Sequence, residues 1–167
     1  MAHFEDLDLN IQTIFDKIYN NQNLCKLLFY DDDNPSVMPD IVSPSILYTN
    51  IEKQKLFPYG FTPDLTDEYK STLSVVFSDF RTGRDNILFK PGKVSFIICV
   101  HTYLWQLNLG DSKIHLRPNA ILHELDKTFN WQRTLGLGKN IMDYAKPIQF
   151  NKNFHGYVYC INWVDFT

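Results

Sequence analysis

The sequence predicts an α+β fold. The expected architecture is an antiparallel or mixed β-sheet of about four main strands, with an N-terminal helix and a second helix (about 118–130) packed on it, plus a long ordered irregular arm. Three observations carry this. Apolar residues recur at helical spacing in 8–29 and again in 118–130. They alternate, or run on in β-branched and aromatic stretches, in 72–80, 93–108, 140–150 and 154–166. The order of helix, arm, two strands, helix, two strands is not the alternation that winds a parallel sheet. At 167 residues, 44% hydrophobic and 21% charged, the chain has the size and composition of a single domain spanning 1–167.

The elements follow in order. DLNIQTIFDKIYNNQNLCKLLF (8–29) reads as an amphipathic helix with Asp8 at its N-cap and Leu9, Ile14, Phe15, Ile18, Leu24 and Leu28 on its apolar stripe. Asn20, Asn21 and Asn23 weaken its middle, which leaves open two shorter helices joined by a turn. YDDDNP ends it, because Pro35 restricts Asn34 and successive aspartates favour turn geometry.

Residues 34–70 form the arm. Pro35, Pro39, Pro44, Pro58 and Pro63 keep any regular element there short. Ile46, Leu47, Tyr48, Leu56, Phe57, Tyr59 and Phe61 are more apolar anchors than a disordered linker carries. The arm is therefore expected to pack, on its own domain or on a neighbouring subunit. Phe57, Tyr59 and Phe61 are its candidate interface residues.

TLSVVFSDF (72–80) sets Leu73, Val75 and Phe77 on one face and Ser74 and Ser78 on the other. RTGRDN reads as a loop and ILFKPG as a short edge piece. KVSFIICVHTYLWQLN (93–108) is apolar on both faces around Ile97 and Ile98, the mark of a strand covered on both sides; its end can turn helical near Trp105. Pro118 suits a first helical turn. Ile121, Leu122, Leu125 and Phe129 then make the apolar stripe, with His123, Glu124, Asp126 and Lys127 on the wet side. Gly136 and Gly138 stop the helix and turn the chain. NIMDYAKPIQF and FHGYVYCINWVDF read as two strands joined by NKN, the second of them central. Alternation puts Tyr157, Tyr159 and Trp163 on one side of it, either as a second interface face or beneath the 118–130 helix.

Chemistry-bearing motifs fail on inspection. HELDK begins like a zinc-protease helix, but Lys127 stands where the second histidine is needed, and a cation repels Zn²⁺. LGLGKN ends like a phosphate-binding loop, but Asn140 replaces the hydroxyl residue and Arg133 the earlier glycine. A calcium loop on Asp31, Asp32 and Asp33 would need Glu at its twelfth position, where Val42 stands. No catalytic, cofactor-binding or metal-ligating residue is assigned, and a non-enzyme without cofactor is expected. Cys25, Cys99 and Cys160 are widely spaced among apolar neighbours and read as buried free thiols. The net charge of −3 offers no basic field for nucleic acid. The acidic start MAHFEDLDLN lacks a signal-peptide apolar region, and no run is long enough to span a membrane.

A hydrophobic strand followed by RPNAILHELDKTFN, then GLGKN, then a strand containing FHGYVYCINW, resembles neck and tail-terminator proteins of tailed bacteriophages. IQTIFDKIYNNQNLCKLL before a long irregular segment is similar to their head–tail completion proteins. The resemblance lies mainly in residues 90–167. It implies a structural virion protein, made in the host cytoplasm, that assembles as a homo-oligomeric ring, a hexamer, at the top of the tail. Such a ring ends tail-tube growth and docks the head connector and neck proteins, with DNA passing through its lumen. It implies no cofactor, no membrane and no sequence-specific nucleic acid. The long arm departs from the more compact members and leaves open another neck component, such as a head-completion or stopper protein. A small non-enzymatic intracellular binding module is the alternative outside the resemblance.

Overall fold

The N-terminal apolar stripe folds as two helices. In the computed structural model, described for residues 7–79, 92–132 and 139–164, α1 spans Leu7–Tyr19 and α2 spans Gln22–Phe29. Asn21 makes the break: its side-chain oxygen accepts the Leu24 N–H at 3.0 Å and caps α2. Ile14, Phe15, Ile18, Leu24 and Leu28 are buried as expected, whereas Leu9 is exposed, because the stripe begins one turn later than the sequence indicated.

The arm is held by one face of α2. Gln22, Lys26 and Tyr30, four residues apart, meet Ile41, Asp40 and Pro39 in turn. Gln22 pairs with both backbone groups of Ile41 (3.0 and 2.9 Å), Lys26 ion-pairs with Asp40 at 2.7 Å, and the Tyr30 hydroxyl donates to the Pro39 carbonyl at 2.9 Å. A short helix α3 (Ile46–Thr49) and a 3-10 turn (Ile51–Lys53) lead into β1 (Leu56–Phe57). Arm residues thus supply a fifth strand, too short for periodicity to find.

The main sheet runs in the order β1-β2-β3-β7-β6, with β2 Ser71–Ser78, β3 Gly92–His101, β6 Lys139–Gln149 and β7 Phe154–Val164. β1 lies parallel to β2 and the other pairs are antiparallel, so the sheet is mixed. After β3 come a 3-10 turn (Thr102–Leu104), a small separate hairpin of β4 (Gln106–Leu107) and β5 (His115–Leu116), and then α4 (Arg117–Phe129). RTGRDN, residues 87–91, Gly136 and Gly138 lie outside the described residues.

The core sits between the sheet and α1, α2 and α4. Val75, Phe96 and Tyr159 are in register across β2, β3 and β7 and pack with Ile14, Leu24, Leu125 and Phe129. On the opposite face, Cys99 pairs with Gly156, where a Cβ would lie 1.8 Å from the Ile98 carbonyl oxygen, so only glycine fits.

Candidate functional site: an aromatic rim, a cleft and two sheet edges

The interface residues named from the sequence fall into two groups. Phe57 and Phe61 stack at 4.3 Å with planes 8° apart, Tyr59 meets Phe57 at 5.5 Å, and the Phe61 N–H donates to Ser74 Oγ at 3.2 Å. The arm therefore packs on its own sheet, burying Phe57 and half-burying Phe61; Tyr59 is left 54% exposed. On β7, Tyr157 is half-buried against the core and Tyr159 is buried beneath α4. The Tyr159 hydroxyl donates to Asp126 at 3.0 Å; burial first, then that carboxylate, pushes the phenol well above its ordinary range. The Trp163 side chain lies outside the described residues.

The face of α4 that was read as wet is only partly so. His123 and Lys127 are exposed, but Glu124 is buried and Asp126 half-buried. Asn21, the α2 cap, donates its amide to Glu124 Oε2 at 3.0 Å and to Thr128 Oγ1 at 2.8 Å. The polar side of α4 thus faces the α1–α2 turn, which satisfies a carboxylate that water would otherwise solvate.

Sequence reasoning missed Arg117. It is 1% exposed and donates to the carbonyls of Leu104 (2.9 Å), Leu27 (2.8 Å), Tyr30 (2.8 Å) and Asp32. Two of these are carbonyls at the C-terminal end of α2, where a cation also suits the helix dipole. Burial draws the guanidinium below its usual value, against the pull of Asp31, Asp32 and Asp33. The negative charge of these three aspartates favours a buried cation, which gives the acidic triplet a structural role.

Beside this hub lies a cleft of about 560 Å³ whose lining includes Asp31, Leu47, Lys55, Asp67, Tyr69 and Lys70. Its ion pairs are loose: Lys55 to Asp31 at 3.6 Å and Lys70 to Asp67 at 3.9 Å. Burial lowers the Lys55 ammonium and Asp31 partly restores it. Among the described residues, no group of three or more His, Cys, Asp or Glu is placed to hold a metal ion. Cys25, Cys99 and Cys160 are buried and free, and burial pushes the Cys25 and Cys99 thiols up to about 12.

An aromatic rim adjoins the cleft through Tyr69. Tyr69 is 54% and Tyr103 75% exposed, with rings 4.8 Å apart, and both lean on the buried His101 at 4.5 and 5.4 Å. The fold puts them together where β3 ends. The His101 backbone N–H donates to the Lys70 carbonyl at 3.1 Å, and its side-chain Nδ1 accepts the Tyr103 backbone N–H at 3.2 Å. Burial lowers its imidazole below the ordinary value.

The outer strands differ. β1 is two residues long and carries the arm's aromatics. β6 is exposed at every position from 141 to 147, with Ile141, Met142 and Tyr144 among its large side chains. The start of β6 is bonded to the segment after α4: Trp131 N–H to Asn140 O (2.9 Å), Asn140 N–H to Gln132 O (3.1 Å), and Met142 N–H to Asn130 Oδ1 (3.1 Å). Further on come a register shift between Met142 and Tyr144, then Lys146 and Pro147. Bulges, lysines and prolines of this kind discourage indiscriminate strand addition.

Residues 21–162 match the model of one protein family, YomW. The chain belongs to the YomW family. That name is a phage-derived one and suggests a phage association. The match runs from the cap of α2 almost to the end of β7, so Arg117, the cleft, the rim and both outer strands of this YomW chain fall inside it. No curated protein and no solved structure matches the chain.

Proposed function

We propose that this YomW family chain is a structural protein of a tailed-phage particle. In this reading it is one subunit of a homo-oligomeric ring, hexameric by the resemblance, that ends the tail tube at the neck and joins it to the head connector. It acts by shape, without turnover. The carrying observation is that large apolar side chains stand exposed on two unlike regions of one subunit. Tyr59, next to β1, is on one; Ile141, Met142 and Tyr144 on β6 are on the other. The strands concerned are the two ends of a five-stranded sheet, about 19 Å apart at the usual strand spacing.

A ring requires a heterologous contact, in which one surface of a subunit fits a different surface of the next. Two unlike apolar surfaces at opposite ends of a sheet meet that requirement, and tyrosine and methionine suit the centre of such contacts. The guarded edge of β6 favours contact through side chains over added strands. The phage association of the family supports a particle as the setting. Electron microscopy of the parent particle tests the reading: density for this chain is expected at the head–tail junction, and its absence from the particle would refute it.

The cleft favours a second reading, a non-enzymatic binding module, because its apolar floor at Leu47 and its loosely paired lysines suit a small partner segment.

A further inference from the structure

We infer that His101 is an acid-sensitive latch: it holds Tyr69 of the arm and Tyr103 of the following turn together as one surface, and its protonation releases them. This inference does not depend on the ring reading, since it concerns how the rim is held and not what covers it.

Three parts of the molecule meet at this one residue. From the arm, Tyr69 lies 4.5 Å from the imidazole, and the Lys70 carbonyl accepts the backbone N–H of His101. From the turn, the Tyr103 ring stacks parallel to it, 6° between planes, and the Tyr103 N–H donates to Nδ1. From β7, Phe154 meets it edge-on at 4.8 Å, and the neighbouring Thr102 N–H donates to the Asn153 carbonyl at 2.8 Å. His101 is only 2% exposed.

An acceptor at Nδ1 must be unprotonated. Adding a proton there sets N–H against the Tyr103 N–H and puts a charge inside a buried ring cluster. The tyrosine faces offset part of that charge, but they do nothing for the donor-to-donor clash. The ionisable groups around the site are Tyr69, Lys70 and Asp67 of the arm, Tyr103 of the turn, Cys99 on the same strand and His155 on β7. Asp67 accepts the Asp64 N–H at 2.7 Å and lies 3.9 Å from Lys70, and the His155 ring lies edge-on to Trp105. Release would also reach the arginine hub, because the turn supplies the Leu104 carbonyl to Arg117 Nε and Trp105 the carbonyl to the Arg117 N–H.

The sign follows from burial. The closed latch disfavours the imidazolium, so its pKa lies below that of an open, solvated histidine, about 6.5. The open form binds more protons in the interval between the two values. The latch is therefore fully closed above about pH 6.5 and loses stability as pH falls below it.

The test is amide-exchange protection of Tyr103 in the whole chain, corrected for the intrinsic rate. Protection is expected to fall by up to about tenfold between pH 7.5 and 5.5. His101→Asn keeps an acceptor near the position of Nδ1 and does not titrate, so its Tyr103 protection is expected to stay flat. If that variant fails to fold, the nitrogen spectrum of the wild-type imidazole decides. Nδ1 of His101 should be unprotonated at pH 7, and the ring should titrate below the value of a solvated histidine, about 6.5. Flat protection in the wild type, an equal fall in His101→Asn, or His101 titrating at or above about 6.5 would each overturn the latch.

Discussion

The arm and β6 reverse what regularity leads one to expect. The arm is dense in proline and nearly free of long elements, yet it is pinned to α2 by Gln22, Lys26 and Tyr30 and stacked on the sheet through Phe57 and Phe61. β6 is a strand of 11 residues, yet every residue from 141 to 147 is exposed. Order in the arm comes from short backbone-bonded turns that side chains of α2 and the sheet tie down. Regularity in β6 comes from pairing with β7 and brings little burial. Substitutions on the exposed strand should leave the subunit folded, whereas the arm is tied to the core.

That contrast can be broken or sharpened by substitution. The largest effect is expected at Arg117, which holds the α2 end, the start of the arm and the turn after β3. Arg117→Met leaves the carbonyls of Leu27, Tyr30, Asp32 and Leu104 without their donor. It should cost about 4 kcal/mol or more in urea unfolding, at one or more kcal/mol for each buried acceptor. Leu125→Ala, a core truncation on α4, should cost about 2–5 kcal/mol, while His123→Ala and Lys127→Ala should each stay under about 0.5 kcal/mol. Equal costs on both faces would mean that the helical phase is wrong.

Smaller and more local is the effect of Gln22→Ala, which removes two bonds to the Ile41 backbone. About 1–2 kcal/mol is expected, with faster proteolysis near 39–41 and unchanged cleavage elsewhere. Uniform sensitivity along the chain would show that the arm is not clamped there. The smallest effect on the subunit is expected on β6. Ile141→Ser and Tyr144→Ser should each change unfolding by less than about 0.5 kcal/mol. A large destabilisation by either would contradict the view of β6 as an exposed strand.

The sequence made the four long strands and the apolar stripe of α4 legible, because each repeats over several turns or pleats; in it 8–29 reads as one helix, with the break near Asn21 only an alternative. β1 was not legible, since two residues have no period. The burial of Glu124 was hidden because its partner, Asn21, is 103 residues away. Arg117 looked like an ordinary charged residue at a helix start; only the fold gathers its four carbonyls. The rim was equally hidden. His101, Tyr103 and Tyr69 are unremarkable in the chain, and backbone bonds at the end of β3 bring them together. Of the interface residues read from the sequence, Tyr59 is exposed; Phe57 lies inside because the arm packs on its own sheet, and Tyr159 because alternation alone does not tell a covered face from a free one.

The central claim is that two unlike surfaces of the subunit meet in a heterologous contact. Mixing two variants tests it most directly by native mass spectrometry: Tyr59→Glu alters the surface beside β1 and Tyr144→Glu the surface on β6. Wild-type protein should give one closed oligomer, and each variant alone should be monomeric. The mixture should give a one-to-one dimer and nothing larger, because each variant keeps the surface that the other lacks. A mixture that stays monomeric while the wild type assembles, or variants that assemble as the wild type does, would contradict the claim.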